Sequence, residues 1–176
     1  MSAIINLINS GKRGNHMKAS YFSSDVQEFI RALSDHDVRY VVVGGEAAIY
    51  HGHARLANGV DFFYEPSIAN AEKLWEALDE YWAGEIPGLK SSEGLRIIGA
   101  TVQFGVPPNQ VVLCNSMTNV SFEEAWESKV PEEIRMRGKR YSVFFIGLED
   151  LIRNKTALKR DIDKEDLKYL RAKIKG

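Results

Sequence analysis

The residues best suited to chemistry begin where an apolar, β-branched run ends in a glycine pair. Val41 to Val43 predict a strand, Gly44 and Gly45 follow it, and the next residues have helical composition. Because glycine has no side chain to block contact, backbone amides at such a turn can approach phosphate oxygens. Arg55 and Asp61 lie shortly downstream, so a cation and a carboxylate accompany the pair.

Other polar residues near the pair offer alternatives. Glu46 follows the pair directly, and His51 and His53 form a His-x-His pattern that can bind a metal ion. A dedicated metal site normally has a third or fourth ligand, and only Asp61 is obviously available to these histidines. We therefore favour ordinary loop histidines over a metal site.

With their surroundings, these residues resemble the minimal nucleotidyltransferases of the DNA polymerase β superfamily, and most of all their bacterial, toxin–antitoxin-associated (AbiEii-like) members. The likeness consists of Gly-Gly, His-Gly, an arginine and then a strand bearing an acid. It continues downstream through Ser121-Phe122-Glu123-Glu124-Ala125-Trp126 and through residues 147–155. It covers roughly residues 24 to 171, so chance is a poor explanation.

The resemblance implies a site with three acids. In that family an Asp-x-Asp pair and a third Asp on a later strand hold two magnesium ions against a nucleoside triphosphate. Two metals activate the attacking hydroxyl and neutralise the departing pyrophosphate, and residues two apart on a strand share a face. Matched to that pattern, Asp61 is the second acid, whereas Gly59 and Val112 stand where the first and third acids are expected.

The resemblance also implies the remaining site residues. The nucleotide-binding candidates are Gly44, Gly45, Arg55 and Lys155, with Asp61 as the remaining catalytic and metal-binding carboxylate. Arg160 matches a further basic position, and Asp163 and Asp166 follow at helical spacing. The alternative for these charged residues is surface ion pairing with the neighbouring helix.

Neighbouring residues do not replace the two missing acids well. Asn58 lies on the opposite face of its strand from Asp61, and Glu65 is on the same face but too far along. Cys114 shares a face with Val112, although a small buried thiol is the default for such a residue. A magnesium ion already carried by a nucleoside triphosphate keeps waters and phosphate oxygens, so one carboxylate can still contact it. The expected cofactor is Mg²⁺ with the triphosphate where binding is retained, and otherwise none.

Apolar spacing predicts the elements that must position these residues. We expect one α/β (α+β) domain with a nucleotidyltransferase-like mixed sheet flanked by helices and a helical C-terminal end. Helices are predicted from Ser23-Ser24 to about 35, at 46–50, from 68 past 78 with an apolar core face, from Ser121, at 148–158 and at 164–173. Strands are predicted at 39–43, 60–64, 96–98, 101–104, 111–114, 133–136 and 141–146, the last two flanking a turn at 137–140.

Composition limits the class of protein. The 176 residues are 44% hydrophobic and 27% charged, which is ordinary for one soluble domain. We predict a leader or extension over residues 1–22, with disorder as one expectation, and a single domain over 23–176. The longest apolar runs are strand-sized, so we expect no membrane partner. The single cysteine permits no internal disulfide, which fits a cytoplasmic location.

Charge is distributed unevenly. Residues 151–176 contain nine Lys and Arg against four Asp and Glu, although the net charge of the chain is -1. Such a helix can face nucleic acid or an acidic partner, and a solvated amphipathic helix is the favoured alternative.

Three functions remain open. The favoured one is a catalytically degenerate nucleotidyltransferase fold that binds a nucleotide or a macromolecular partner, RNA or protein. The second is an active Mg-dependent enzyme that transfers NMP to a tRNA, a protein or a small molecule. The third is a non-catalytic interaction module of a toxin–antitoxin-type pair. The discriminating feature is whether the glycine pair opens onto a cleft or is filled by Phe62, Phe63 and Tyr64.

Overall fold

Seven strands form one mixed sheet in the computed structural model, which describes residues 16–18 and 21–175. The strands are β1 (His16–Met17), β2 (Tyr40–Val43), β3 (Gly59–Tyr64), β4 (Thr101–Phe104), β5 (Gln110–Cys114), β6 (Val130–Met136) and β7 (Lys139–Phe145). The helices are α1 (Ser24–Asp35), α2 (Gly44–Tyr50), α3 (Ile68–Tyr81), α4 (Phe122–Glu127), α5 (Leu148–Leu158) and α6 (Asp161–Lys175), with a 3₁₀ turn at Ser92–Arg96. The predicted mixed sheet with flanking helices and a helical C-terminal end is confirmed.

The order of strands across the sheet is β1-β6-β7-β2-β3-β5-β4. β3 lies between β2, to which it is antiparallel, and β5, to which it is parallel. The end of β2 therefore meets the beginnings of β3 and β5 at one edge of the sheet. Val43 is paired with Asp61, and Asp61 with Val112, so the glycine pair and these two positions meet there.

Two buried clusters occupy the two faces of the sheet. Phe62 and Tyr64 belong to the cluster under α1 and α3, whereas Phe63 belongs to the cluster under α2, α4 and α5. All three side chains are at most 1% exposed. Because side chains alternate along a strand, Asp61 lies on the same face as Phe63. The central strands are thus covered on both sides, as expected for strands flanked by helices.

Side-chain caps begin α1 and α4 where the sequence predicts them. Ser23 accepts a hydrogen bond from the backbone of Val26 at 3.4 Å at the start of α1. Ser121 and Glu124 form the predicted capping box of α4, with each side chain bonded to the other residue's backbone. These local bonds satisfy amides that have no partner inside the helix.

Several boundaries differ from the prediction. Residues 96–98 are not a strand. Arg96 ends the 3₁₀ turn, and the Asn115 side chain holds the residues after it by donating to the carbonyl oxygens of Leu95 and Ile97 and accepting from the Gly99 amide. The Gly44–Gly45 pair is the first turn of α2 rather than a separate turn. α6 begins three residues earlier than predicted, at Asp161. Ile68, predicted as core, is 61% exposed at the first position of α3.

The hairpin between β6 and β7 is confirmed with a tighter turn than expected. Arg137 and Gly138 have φ values of 49° and 77°, which are those of a two-residue hairpin turn. Each strand is correspondingly longer than its predicted range.

Most of the predicted leader, residues 1–22, lies outside the described residues and stays a prediction. Of its described part, His16–Met17 run parallel to β6, and Phe22 is buried in the core. No helix in the described part of the chain has the length and apolar character needed to cross a membrane.

Candidate functional site

A cavity of about 360 Å³ lies at the edge of the sheet where β2 ends and β3 and β5 begin. Its volume is within the range of roughly 300–1,000 Å³ that is usual for small-molecule sites. Its walls are Gly45, Arg55, Leu56, Ala57, Asn58, Gly59, Asp61, Gln110, Val112 and Ile162. The aromatic residues 62–64 do not line it, so the glycine pair opens onto a cleft. This cavity is called the main cleft below.

The glycine pair holds the Asp61 carboxylate. The Gly45 amide donates a hydrogen bond to it, and a methyl group added at Gly44 would lie 1.9 Å from its Oδ2 atom. Gly44 also has a φ of +67°, which favours glycine. The amide predicted to approach a phosphate thus contacts a carboxylate in this structure.

Burial dominates the electrostatics of Asp61. Burial raises the pKa of its carboxyl group, and the Gly45 hydrogen bond and the positive charges of Lys155, Arg160 and Arg55 oppose that rise without cancelling it. Asp61 is the only carboxylate among the described residues that line the main cleft.

The two positions where further acids were expected carry no carboxylate. A methyl group added at Gly59 would lie 1.9 Å from the backbone carbonyl oxygen of Gln110, so any side chain there requires the start of β5 to move. Val112, the register partner of Asp61, presents an apolar side chain to the same cleft.

A two-magnesium centre does not fit these residues. Within residues 16–18 and 21–175, no group of three or more His, Cys, Asp or Glu residues is arranged to hold a metal ion. Hard divalent cations need several converging oxygen ligands, and the main cleft offers one carboxylate opposite an apolar side chain.

His51 and His53 are buried and point to different partners. His51 Nε2 donates to the carbonyl oxygen of Ile146 at 2.7 Å, and burial lowers the pKa of this histidine. His53 Nδ1 lies 2.6 Å from Asp166 Oδ1, and its ring stacks on Tyr169 at 4.0 Å. Both rings connect elements of the fold, and neither lines the main cleft.

Arg55 lines the main cleft, and each of its three guanidinium nitrogens already donates one hydrogen bond within the protein. Its Nε and Nη2 atoms donate to the two oxygens of Asp166 at 2.7 and 3.0 Å, and Nη1 donates to the Leu56 carbonyl at 2.9 Å. Such bidentate pairing fixes the plane of the guanidinium. A methyl group added at Gly45 would lie 3.1 Å from Nη2, so the group covers the glycine pair.

The charged residues near the start of α6 form a buried network. Lys155 Nζ lies 2.7 Å from Asp166 and 3.3 Å from Asp163, and both acids are fully buried. Arg160 adds a 2.7 Å contact to Asp163. The ion pairs offered as an alternative to phosphate contact are therefore present, but they lie in the interior rather than on the surface. Lys155 is 3% exposed and does not line the main cleft.

The network stabilises the charged form of its acids. Burial acts to raise the pKa of Asp166, but hydrogen bonds from Arg55, Lys155 and His53 outweigh it and lower the pKa to about 2. Near the cleft, three cations lie close to three acids, so little positive charge remains for a ligand. The cations are Arg55, Lys155 and Arg160, and the acids are Asp61, Asp163 and Asp166.

Gln110 and Ile162 are among the residues of the main cleft that sequence reasoning missed. Gln110 begins β5, and its only signal was its place at the end of the Gly-Val-Pro-Pro-Asn turn. Ile162 is 45% exposed on α6, and an apolar residue among charged ones was the signal there. Cys114 lies on β5 near Asp61, and burial raises the pKa of its thiol to about 12.

Comparison with known proteins gives a family match. A family model described as a nucleotidyltransferase of unknown function (DUF6036) matches residues 24–171. No significant match exists among curated proteins or among solved structures.

Proposed function

This chain belongs to the family of nucleotidyltransferases of unknown function (DUF6036), and from that premise we propose that it binds a nucleotide without transferring it. The observation that carries the proposal is the main cleft itself. It is of ligand size, it begins at the glycine pair, and one carboxylate faces it. A fold whose site had merely been packed would not keep such a cleft.

Loss of transfer follows from the walls of the cleft. Nucleotidyl transfer by two metals needs converging carboxylates, whereas Gly59 is closed off by Gln110 and Val112 is apolar. The order of the motifs supports the finer assignment to the polymerase β superfamily and its AbiEii-like, toxin–antitoxin-associated bacterial members. A cytoplasmic location is part of the same proposal.

In this proposal the protein supplies one magnesium ligand rather than a two-metal centre. Asp61 is the residue that would contact an ion carried in by the triphosphate, where the ion would offset repulsion between the carboxylate and the phosphates. Since Arg55 is already bound to Asp166, the chain itself offers little to compensate that repulsion. Binding is therefore expected to require magnesium.

The test is isothermal titration of the full chain with ATP, GTP, CTP and UTP, with and without Mg²⁺. We expect micromolar binding that disappears with EDTA, and no release of pyrophosphate on prolonged incubation. The Asp61→Asn variant should bind equally with and without Mg²⁺, because the repelling charge is gone. Glu123→Gln, an exposed acid outside the cleft, is the matched control.

Each contrary outcome has a definite meaning. Release of pyrophosphate would show an active transferase and contradict the loss of catalysis. Absence of heat with all four triphosphates would contradict nucleotide binding.

A second candidate function is the binding of a macromolecular partner, which is favoured by two exposed apolar residues at the rim of the main cleft. Leu56 is 84% exposed and Ile162 is 45% exposed, and both line the opening. Exposed apolar residues beside a cleft are suited to contact with another chain. This candidate predicts that Leu56→Ser weakens partner binding, whereas Glu123→Gln, at an exposed residue outside the cleft, leaves it unchanged.

A further inference from the structure

β4, the strand beyond β5, forms an open edge of the sheet. The strand order places β5 on one side of β4 and no described strand on the other. Such an edge presents backbone N–H and C=O groups that can pair with a further strand. The side chains of Thr101 and Gln103 on β4 are exposed, which leaves this edge accessible.

β4 lacks the features that usually protect an edge strand. Proteins place charged residues or proline at such edges, because these residues discourage pairing with other chains. Residues 97–122 contain no Asp, Glu, Lys, Arg or His, although 27% of the chain is charged. At the other end of the sheet, β6 is covered only in part by the two-residue strand β1, and it contains Pro131, Glu133 and Arg135. One end of the sheet is thus protected, and the other is left able to pair.

Exposed apolar residues lie at both ends of β4. Ile97 and Ile98 precede the strand and are 65% and 69% exposed, and Val106 follows it and is 73% exposed. The strand between them is about 13 Å long at the ordinary rise per residue. Exposed apolar residues grouped at one surface mark contact sites. A partner suited to this surface therefore covers both ends of β4.

A second copy of the same strand meets that requirement. When two copies of a strand pair antiparallel about a two-fold axis, the beginning of each lies beside the end of the other. The Ile98 end of one copy then contacts the Val106 end of the other, so a single symmetric contact covers both apolar ends. No like charges meet along the strands, because residues 97–122 are uncharged. The net charge of -1 also gives little repulsion between copies.

We propose that this chain forms a dimer in which the β4 strands of two copies pair antiparallel and join the two sheets into one. The first measurement is sedimentation velocity of the full chain without nucleotide, at concentrations from about 1 to 100 μM. We expect a reversible equilibrium between the monomer and a species of twice its mass. A chain that stays monomeric over this whole range would overturn the proposal.

Charged substitutions at the two ends of β4 then test the arrangement. Ile98→Lys and Val106→Glu should each raise the Kd of the dimer by at least about ten-fold, because each puts an unpaired charge into an apolar contact. Both side chains are exposed in the single chain, so the fold should be retained. The double variant Ile98→Lys/Val106→Glu should recover most of the lost affinity, since antiparallel pairing brings the opposite charges together.

Ile174→Lys is the matched control. Ile174 is an exposed isoleucine on α6, which packs on α5 rather than on β4, so the Kd of the dimer should not change. Equal weakening by this control would overturn β4 as the interface, and so would a dimer that responds to neither single variant. Weakening by both single variants without recovery in the double variant would overturn the antiparallel arrangement.

The dimer and the proposed nucleotide binding can fail separately. The described residues that line the main cleft include none from β4. Ile98→Lys should therefore bind nucleotide as the unchanged chain does while its dimer is weakened. Loss of nucleotide binding together with the dimer in this variant would overturn an interface confined to β4.

Discussion

At the scale of single residues, Asp61 is a carboxylate in a place that favours its neutral form. Burial raises its pKa, so the unfolded chain releases the Asp61 proton at a lower pH than the folded protein does. The contribution of Asp61 to the free energy of unfolding is therefore most favourable below its pKa in the unfolded chain, about 4. That contribution falls as pH rises through its pKa in the folded protein.

We expect Asp61→Asn to stabilise the protein at pH 7 and to have little effect at pH 4. An asparagine oxygen can still accept from the Gly45 amide, and the buried charge is removed. Urea unfolding at the two pH values measures the difference. A variant that is less stable than the wild type at pH 7 would show that the nearby cations, not burial, govern this residue.

The pKa of Asp166 is shifted in the opposite direction, downward. Its pKa of about 2 is below the unfolded value of about 4, so its contribution is present above pH 4 and is lost as pH falls toward 2. Asp166→Asn leaves Arg55 and Lys155 short of a buried partner, and we expect a loss of about 3–5 kcal/mol. Denaturant unfolding at pH 7 measures it, and the acid sensitivity between pH 4 and 2 should shrink.

Glu165, the preceding residue, provides the control for Asp166. It pairs with Lys168 at 2.6 Å on the surface of α6. Glu165→Gln should therefore change the free energy of unfolding by only about 0–1 kcal/mol. Equal losses in the two variants would mean that the buried network contributes no more than a surface pair.

At the scale of elements, β3 and β5 approach each other closely at Gly59. A methyl group there would meet the Gln110 carbonyl oxygen at 1.9 Å, which is far inside contact distance. We expect Gly59→Ala to lower the free energy of unfolding by at least about 1–3 kcal/mol, because backbone must move. Chemical denaturation measures the loss, and nucleotide affinity should fall with it, since Gly59 borders the main cleft.

Gly94→Ala is the matched control. The nearest atom to a methyl group at Gly94 belongs to the end of the Leu89 side chain, at 3.2 Å, and that side chain can turn aside. Its effect on the free energy of unfolding should be below about 1 kcal/mol. A Gly59→Ala variant as stable as Gly94→Ala would contradict the tight contact between β3 and β5.

The elements were largely predictable because their signals are local. Apolar spacing located α1, α3 and α5, and Ser121 with Glu124 located the start of α4. Residues 96–98 were predicted as a strand because they include two β-branched side chains. Their actual conformation depends on Asn115, which lies far along the chain and has no local signature.

At the scale of the whole molecule, the site depends on contacts between distant segments. His53 and Arg55 both bond Asp166, more than a hundred residues later in sequence. The sequence could name these charged residues as candidates, but spacing along a chain does not reveal that they pair in the interior. The open cleft was likewise beyond the sequence, because it depends on how β2, β3 and β5 meet.

The basic C-terminal segment gives a prediction for the whole molecule. On α6, Lys164 pairs with Asp161 and Lys168 with Glu165, so part of the positive charge is neutralised within the helix. We expect single-stranded RNA to bind weakly at low salt and not at about 0.15 M salt, where screening is strong. Fluorescence anisotropy at the two salt concentrations measures this. Tight binding at the higher concentration would support RNA as the partner.

The contact between Gly59 and Gln110 makes the proposed loss of catalysis difficult to reverse in evolution. An acid at position 59 requires the start of β5 to stand further off than it does here. For transfer activity to be regained, the main chain at the start of β5 would first have to move. Only then would an acidic residue at position 59 be tolerated. The first of these steps restores no activity by itself, so selection has nothing to favour.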